Sequence, residues 1–407
     1  MKNLPKTRKV KIHPASLKHI KKGHPWVTAD SYTKDFPNGE DFLQVEAGDT
    51  KLLLLSDPNH PRIKARVWAF GEGRDLRANF PRELKERLAA AFNQRKAMKI
   101  SEQRDNFYLC FGEADLLPGL FIQAFGSHVL VQATCNFWVL HKKRIADLIR
   151  PLWEEHFPDT KYLNGWWCDR GPNAQSRITS LRQGTSPPDQ LVIEEFGVKY
   201  HLRPMDAHDP GIYTDMSAIR EELFPVLESS KKVLNLYAYT GAYSLIALKK
   251  GAEEVHSVDL SQKYIDWLET NLAENPDLDA SKHTSHCSSV EEALKKFKAE
   301  GEKFDLIICD PPSASSDGKK MGRVTDSYPR DLPLMNSLLN EGGKIVAFVN
   351  THAMSWKKFN SNFDDIIKNK NLKLKSLDIL KLKKDCPLKG GFQEGDYLKG
   401  RIFERFE

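Results

Sequence analysis

Three short stretches carry residue types that could do chemistry together. Asp310-Pro311-Pro312 follows the apolar run FDLIIC, so a carboxylate sits just before two residues that fix the backbone and present their carbonyls. Asn235-Leu236-Tyr237-Ala238-Tyr239-Thr240-Gly241 closes the apolar run that starts at Val233, and its small residues would let backbone approach a ligand closely. It holds one glycine and is not the Gly-x-Gly-x-x-Gly of a nicotinamide dehydrogenase. Asp259, followed by Leu260, lies eighteen positions after Gly241, where an acid can hydrogen-bond both hydroxyls of a ribose. Taken singly, these are a strand-ending turn and a helix-capping Asp. Their order and spacing together point to an adenosine-containing cofactor and to the acidic proline motif of a class I methyltransferase that uses S-adenosylmethionine.

Such residues need strand ends to hold them. VLNLYAY, EVHSVDL, FDLIICD and GGKIVAFVN read as strands, and AYSLIALKKGA and SQKYIDWLETNLAEN as helices, the second with Ser261 as N-cap. Strands alternating with helices predict a doubly wound α/β fold with a parallel sheet, whose ligands bind outside the carboxyl ends of the strands. Before this region, residues 1–72 hold short apolar runs broken by turn signals and read as a β-rich module. Residues 73–204 mix strands and helices and read as a small α+β domain, leaving 205–407 for the Rossmann-like catalytic domain.

Composition sets the outer bounds. The 407 residues are 40% hydrophobic and 29% charged, enough apolar material for two or three cores, which excludes disorder along the whole chain. No apolar stretch is long enough to cross a membrane, and no apolar segment backs the basic start as in a secretory signal. Six cysteines without a Cys-x-x-Cys pair argue against a disulfide framework or a zinc ribbon, so no metal is expected and a cytoplasmic compartment fits. The net charge of +6 is unevenly placed: eight Lys or Arg precede the first acid, Asp30, and a Lys-rich run spans 357–389. Such clusters read either as solvated faces or as a footprint for a polyanion.

With these motifs in place, the chain resembles bacterial 23S ribosomal RNA large-subunit methyltransferases of the PUA-containing kind. The resemblance rests on GHPWVTADS, IKARVWAF, GEADLLPGLFIQAFGSHVLVQ, GIYTDMSAIR, NLYAYTGAYS, SVDLS, DPPS and EGDYLKG, in that order along nearly the whole chain. It implies a PUA-like RNA-binding domain over 1–72, S-adenosylmethionine as donor, and 23S RNA or a large-subunit precursor as acceptor. It also implies homodimers, since such relatives often pair. Carried across, it places Tyr213 and Asp215 near the cofactor. Asn235, Tyr237, Tyr239, Thr240 and Gly241 would line the methionine side, with Asp259 and Leu260 at the ribose and Asp310 nearest the methyl group. Ser288 and Ser289 stand where an acid usually meets the adenine amine, a departure that a hydroxyl or a backbone amide would have to make good.

The choice of base turns on Phe348-Val349-Asn350. Methylation of cytosine C5 needs a thiolate that adds at C6. Where 5-methylcytosine-forming relatives carry that cysteine, this chain has Asn350. Phe-x-Asn and the run DPPSASSDGKKM resemble the 7-methylguanine branch. Guanine N7 already carries an in-plane lone pair and needs placement rather than a base. Asp310, Pro311, Pro312 and Asn350 are the catalytic candidates, with N7 of guanine as the expected target. The alternatives are a 5-methylcytosine enzyme and an RNA-binding protein that keeps the cofactor pocket without turnover. Lys319, Lys320 and Arg323, in a Gly-containing loop after the prolines, are the candidate RNA-phosphate contacts. His352, just beyond the last strand, reads as polar surface.

Overall fold

The computed structural model describes residues 5–37, 39, 41–72, 76, 79–171, 178–182, 188–204, 206, 210–312, 314–316, 321–323 and 327–407. The chain packs as two compact units. The first comprises 1–193, 202–210 and 384–392, and the second 194–201, 211–383 and 393–407.

The first unit holds two five-stranded sheets. One is built from Thr7–Lys9, Phe42–Ala47, Thr50–Ser56, Ile63–Glu72 and Trp26–Thr28; the other is built from Ile178–Ser180, Asn164–Asp169, His128–Ala133, Leu120–Phe125 and Asn106–Phe111. The run of four leucines, 52–55, shows why the first sheet is buried on both faces. Successive side chains in a strand point to opposite faces. Leu52 and Leu54 therefore join Ile20, Val27 and Leu43 on one side. Leu53 and Leu55 join Trp68, Phe80, Leu84, Ile122, Trp138 and Trp153 on the other. That second core takes residues from both sides of position 72, so the first two sequence regions share one interior.

The stretch LVIEEFGVKYHL forms two strands, Leu191–Glu195 and Val198–Leu202. They break at Phe196 and Gly197, both with positive φ, 54° and 75°, the twist that suits a two-residue hairpin turn.

The second unit is a seven-stranded sheet with helices packed on it. In it we number β1 (Lys232–Leu236), β2 (Glu254–Asp259), β3 (His283–Cys287), β4 (Phe304–Cys309), β5 (Leu339–Asn350), β6 (Leu374–Lys381) and β7 (Leu398–Arg405). Helices α1 (Ala242–Lys249), α2 (Gln262–Ala273), α3 (Val290–Glu300), α4 (Tyr328–Leu338) and α5 (Trp356–Asn369) connect them. The strand order is β3-β2-β1-β4-β5-β7-β6. The first five strands are parallel and β7 runs antiparallel between β5 and β6. The order reverses between β1 and β4, so their carboxyl ends flank the switch point at which such sheets bind ligands.

Pleat alternation assigns each strand residue a face. Leu234, Leu236, Ile307, Cys309, Ala347 and Val349 pack into one core with Val290, Leu294, Phe297, Tyr328, Leu332, Phe359 and Phe363 of α3, α4 and α5. Asn235, Phe348 and Asn350 alternate with these and take the opposite face, toward α1. Among the described residues, no helix is long and apolar enough to cross a membrane.

Candidate active site at the carboxyl ends of the strands

The turn after β1 has an uncommon backbone. Tyr237, Tyr239 and Gly241 all have positive φ, 58°, 51° and 87°. For the two tyrosines this region is strained, and such strain persists only where the surroundings impose it. Those surroundings are visible. The backbone N–H of Tyr239 donates to the Asp259 carboxylate at 2.9 Å, and the Tyr239 hydroxyl accepts the Gly211 N–H at 3.0 Å. The Thr240 hydroxyl donates to the Gly211 carbonyl at 2.5 Å, and the Thr240 carbonyl accepts from the Asn271 amide at 2.9 Å. A Cβ on Gly241 would stand 2.5 Å from Leu268 Cγ, so only glycine lets α2 pack this close.

Asp259 ends β2. One carboxylate oxygen accepts the Tyr239 N–H and the other accepts the Ser261 N–H, both at 2.9 Å. Ser261 holds the N-cap position of α2, but its side chain makes no capping hydrogen bond; its backbone N–H goes to the Asp259 carboxylate. Burial pushes the Asp259 carboxyl above its usual range, and the backbone N–H groups pull the other way. Each carboxylate oxygen keeps a further lone pair that could take a ribose hydroxyl. Leu260, 60% exposed, offers an apolar surface beside it. This donor and acceptor set fits an adenosine moiety.

Tyr213 and Asp215 join the same constellation. The Tyr213 ring lies 5.2 Å from that of Tyr239, and the Tyr264 ring lies 4.8 Å from that of Tyr239. Asp215 accepts a hydrogen bond from the Tyr397 hydroxyl at 2.6 Å, which brings the terminal EGDYLKG motif into the site. Behind them, Arg220 is fully buried on Glu195, with contacts of 2.5 and 2.9 Å, and also donates to the Tyr213 carbonyl at 3.1 Å.

Asp310 stands at the end of β4, with Pro311 buried and Pro312 exposed beyond it. Its carboxyl is pushed up to about 7, first by burial and then by the negative charge of Asp215, with Arg220 opposing. Tyr328 ties the neighbouring strand ends together, its hydroxyl lying 2.7 Å from the Phe348 carbonyl and 3.2 Å from that of Cys309. Asn350 ends β5 half-buried.

The other sequence candidates have the following surroundings. The Asn235 amide donates to Ser244 at 2.8 Å, and Ser244 meets Ser257 at 2.6 Å, so Asn235 braces β1, α1 and β2 under the sheet end. Tyr237 is half-buried against the α3–α5 core. The Ser289 hydroxyl is committed to a capping box with Glu292, which starts α3. Ser288 remains beside Asp259, whose carbonyl accepts its N–H at 3.1 Å. His352 sits on the Glu394 carbonyl at 2.7 Å. Lys319 and Lys320 lie outside the described residues. The backbone of Arg323 falls in a short strand, 321–323, paired antiparallel with 314–316. Sequence reasoning missed Glu195, Arg220, Tyr243 and Tyr328. All four act through partners far along the chain; Arg220 and Tyr243 lay inside quoted motifs, GIYTDMSAIR and NLYAYTGAYS, but neither was singled out.

Residues 203–359 match a family described as "Conserved hypothetical protein 95". Curated proteins named "Ribosomal RNA large subunit methyltransferase I" are similar across almost the whole chain. That of Aeromonas salmonicida is 28% identical, covering 95% of this chain and 96% of that protein. That of Pseudoalteromonas translucida is 27% identical, covering 97% and 99%. A solved structure titled as a methyltransferase complexed with SAH superposes with a TM-score of 0.82 at 22% identity, covering 98% of this chain and 100% of that one. Another, titled as a SAM-dependent methyltransferase from Streptococcus mutans, gives a TM-score of 0.80, also at 22% identity, covering 97% and 99%. The fold is that of a SAM-dependent methyltransferase. Within that fold, the turn after β1, Asp259 and Asp310 ring the switch point of the sheet.

Proposed function

We propose that the protein transfers a methyl group from S-adenosylmethionine to a base of 23S ribosomal RNA, and that the atom methylated is N7 of guanine. The likeness to large-subunit ribosomal RNA methyltransferases over nearly the whole chain supports the reaction class. One observation carries the choice of atom: the strand ends that flank the pocket offer a carboxylate and an amide, and the neighbouring thiol faces away. Cys309 packs into the α3–α5 core, fully buried, and burial raises its thiol far above the range in which a thiolate forms. A 5-methylcytosine mechanism needs that thiolate.

S-adenosylmethionine, when bound, supplies an electrophilic methyl group on a sulfonium. Asp259 and Leu260 would hold its adenosine, with the turn 237–241 and Tyr213 beside the methionine. Asp310 and Asn350 would accept and donate hydrogen bonds along the guanine edge. Nitrogen 7 attacks through its own lone pair, so no side chain has to remove a proton, and placement supplies most of the acceleration. The purine gains positive charge as the bond forms, which the Asp310 carboxylate stabilises.

Replacing Cys309 by Ser tests this assignment. Turnover should stay within about threefold of wild type, since a residue outside the chemistry has little effect on the barrier. A loss of about a hundredfold or more, with the fold intact, would restore the covalent mechanism.

A further inference from the structure

We infer that the Tyr243 hydroxyl is a contact for the acceptor base, completing with Asp310 and Asn350 the polar edge that seats it. This rests on the methyl-transfer reading above. Tyr243 belongs to the first turn of α1, and only 7% of its surface is exposed. Among the described residues its hydroxyl oxygen has no hydrogen-bond partner. A buried hydroxyl left unpaired is costly, and phenylalanine would fill the same space without that cost. The hydroxyl is therefore explained by a partner that the folded chain does not itself provide.

Its position says which partner. The ring stacks on Phe348 of β5, centroids 6.0 Å apart and 21° between planes. Asn350 is the next residue on that face of β5. Gly400 of β7 lies opposite Phe348 in the sheet, and a Cβ there would stand 2.6 Å from the Phe348 ring, so β7 is shaped to seat this stack. The Arg220 guanidinium lies 5.9 Å from the Tyr243 ring. Burial, followed by the negative charges of Asp310, Glu195 and Asp215 with Arg220 opposing, holds the hydroxyl in its protonated, donating form. All of this lies toward β4 and β5. The ribose acid, Asp259, lies on the far side of β1. The hydroxyl thus belongs to the acceptor half of the pocket, where a carboxylate, an amide and a phenol offer one acceptor, one mixed group and one donor to a base edge.

The test compares full-length wild type with Tyr243→Phe in three readouts: calorimetric binding of SAH, steady-state methyl transfer to unmodified 23S RNA, and thermal melting. The expected result is SAH affinity within about twofold, kcat/KM for RNA lower by about tenfold, and a Tm equal to or above that of wild type. Wild-type kcat/KM in the variant would overturn the inference. So would a loss of SAH affinity as large as the loss of turnover, which would assign the hydroxyl to the cofactor. If wild type binds SAH yet transfers no methyl group, the proposed reaction fails. The two SAH-loaded proteins are then compared for affinity to an RNA fragment, where weaker binding by Tyr243→Phe upholds the contact and equal binding overturns it.

Discussion

Burial and, next to it, the negative charge of Asp215 make the Asp310 carboxyl hold its proton, with only Arg220 opposing them. The folded chain holds the Asp310 proton more tightly than the unfolded chain does. Its ionisation therefore weighs against the fold increasingly as pH rises from about 4 to about 7, and fully above that. A ligand that carries a positive charge next to this carboxylate should reverse the balance. The affinity for S-adenosylmethionine should rise by about tenfold between pH 6 and pH 8, whereas SAH, a neutral thioether at the same atom, should show little change. In Asp310→Asn the two ligands should respond alike. Calorimetry across that range checks it, and equal pH dependence of both ligands in wild type would remove Asp310 from the methyl position.

At the scale of elements, the site depends on how tightly α2 and β7 close on it. Gly241→Ala would require a Cβ 2.5 Å from Leu268 Cγ at a φ of 87°. The combined strain and overpacking should cost on the order of 3 kcal/mol. Chemical denaturation should show the loss, together with weaker SAH binding, because the same turn carries the N–H that Asp259 holds. An alanine variant with unchanged stability would mean that the turn relaxes freely. Much of this level was legible beforehand. Apolar runs marked four of the five parallel strands; β3, His283–Cys287, escaped because HTSHC holds no apolar run, and the spatial order of the strands has no local signal. The capping box at Ser289 was also readable, as Ser-x-x-Glu before an apolar stretch. The Arg220–Glu195 pair and the Tyr243–Phe348 stack were not legible, because no local pattern marks two residues that meet across 25 or 105 positions of chain.

At the scale of the molecule, the path of the chain matters. Residues 384–392 return to the first unit after most of the second is complete. There Asp385 pairs with Arg104 at 2.5 Å, accepts the Tyr108 N–H at 2.8 Å and lends its carbonyl to Arg95 at 3.0 Å. Both side chains of the Arg104–Asp385 pair are 1% exposed, so breaking it strands a buried charge. Asp385→Ala should destabilise the first unit by about 3–5 kcal/mol and lower its melting transition by on the order of 10 °C in calorimetry. A shift below about 2 °C would show that the pair contributes little. The Lys-rich run that looked like a single basic stretch in the sequence thus serves two units, a division that composition alone could not reveal.

A nucleoside assay identifies the atom that receives the methyl group. Purified protein is incubated with labelled S-adenosylmethionine and unmodified 23S RNA, the RNA is digested, and the labelled nucleoside is identified by chromatography and mass spectrometry. Label is expected in 7-methylguanosine. Label in 5-methylcytidine would contradict it and require a thiolate that the buried Cys309 does not supply.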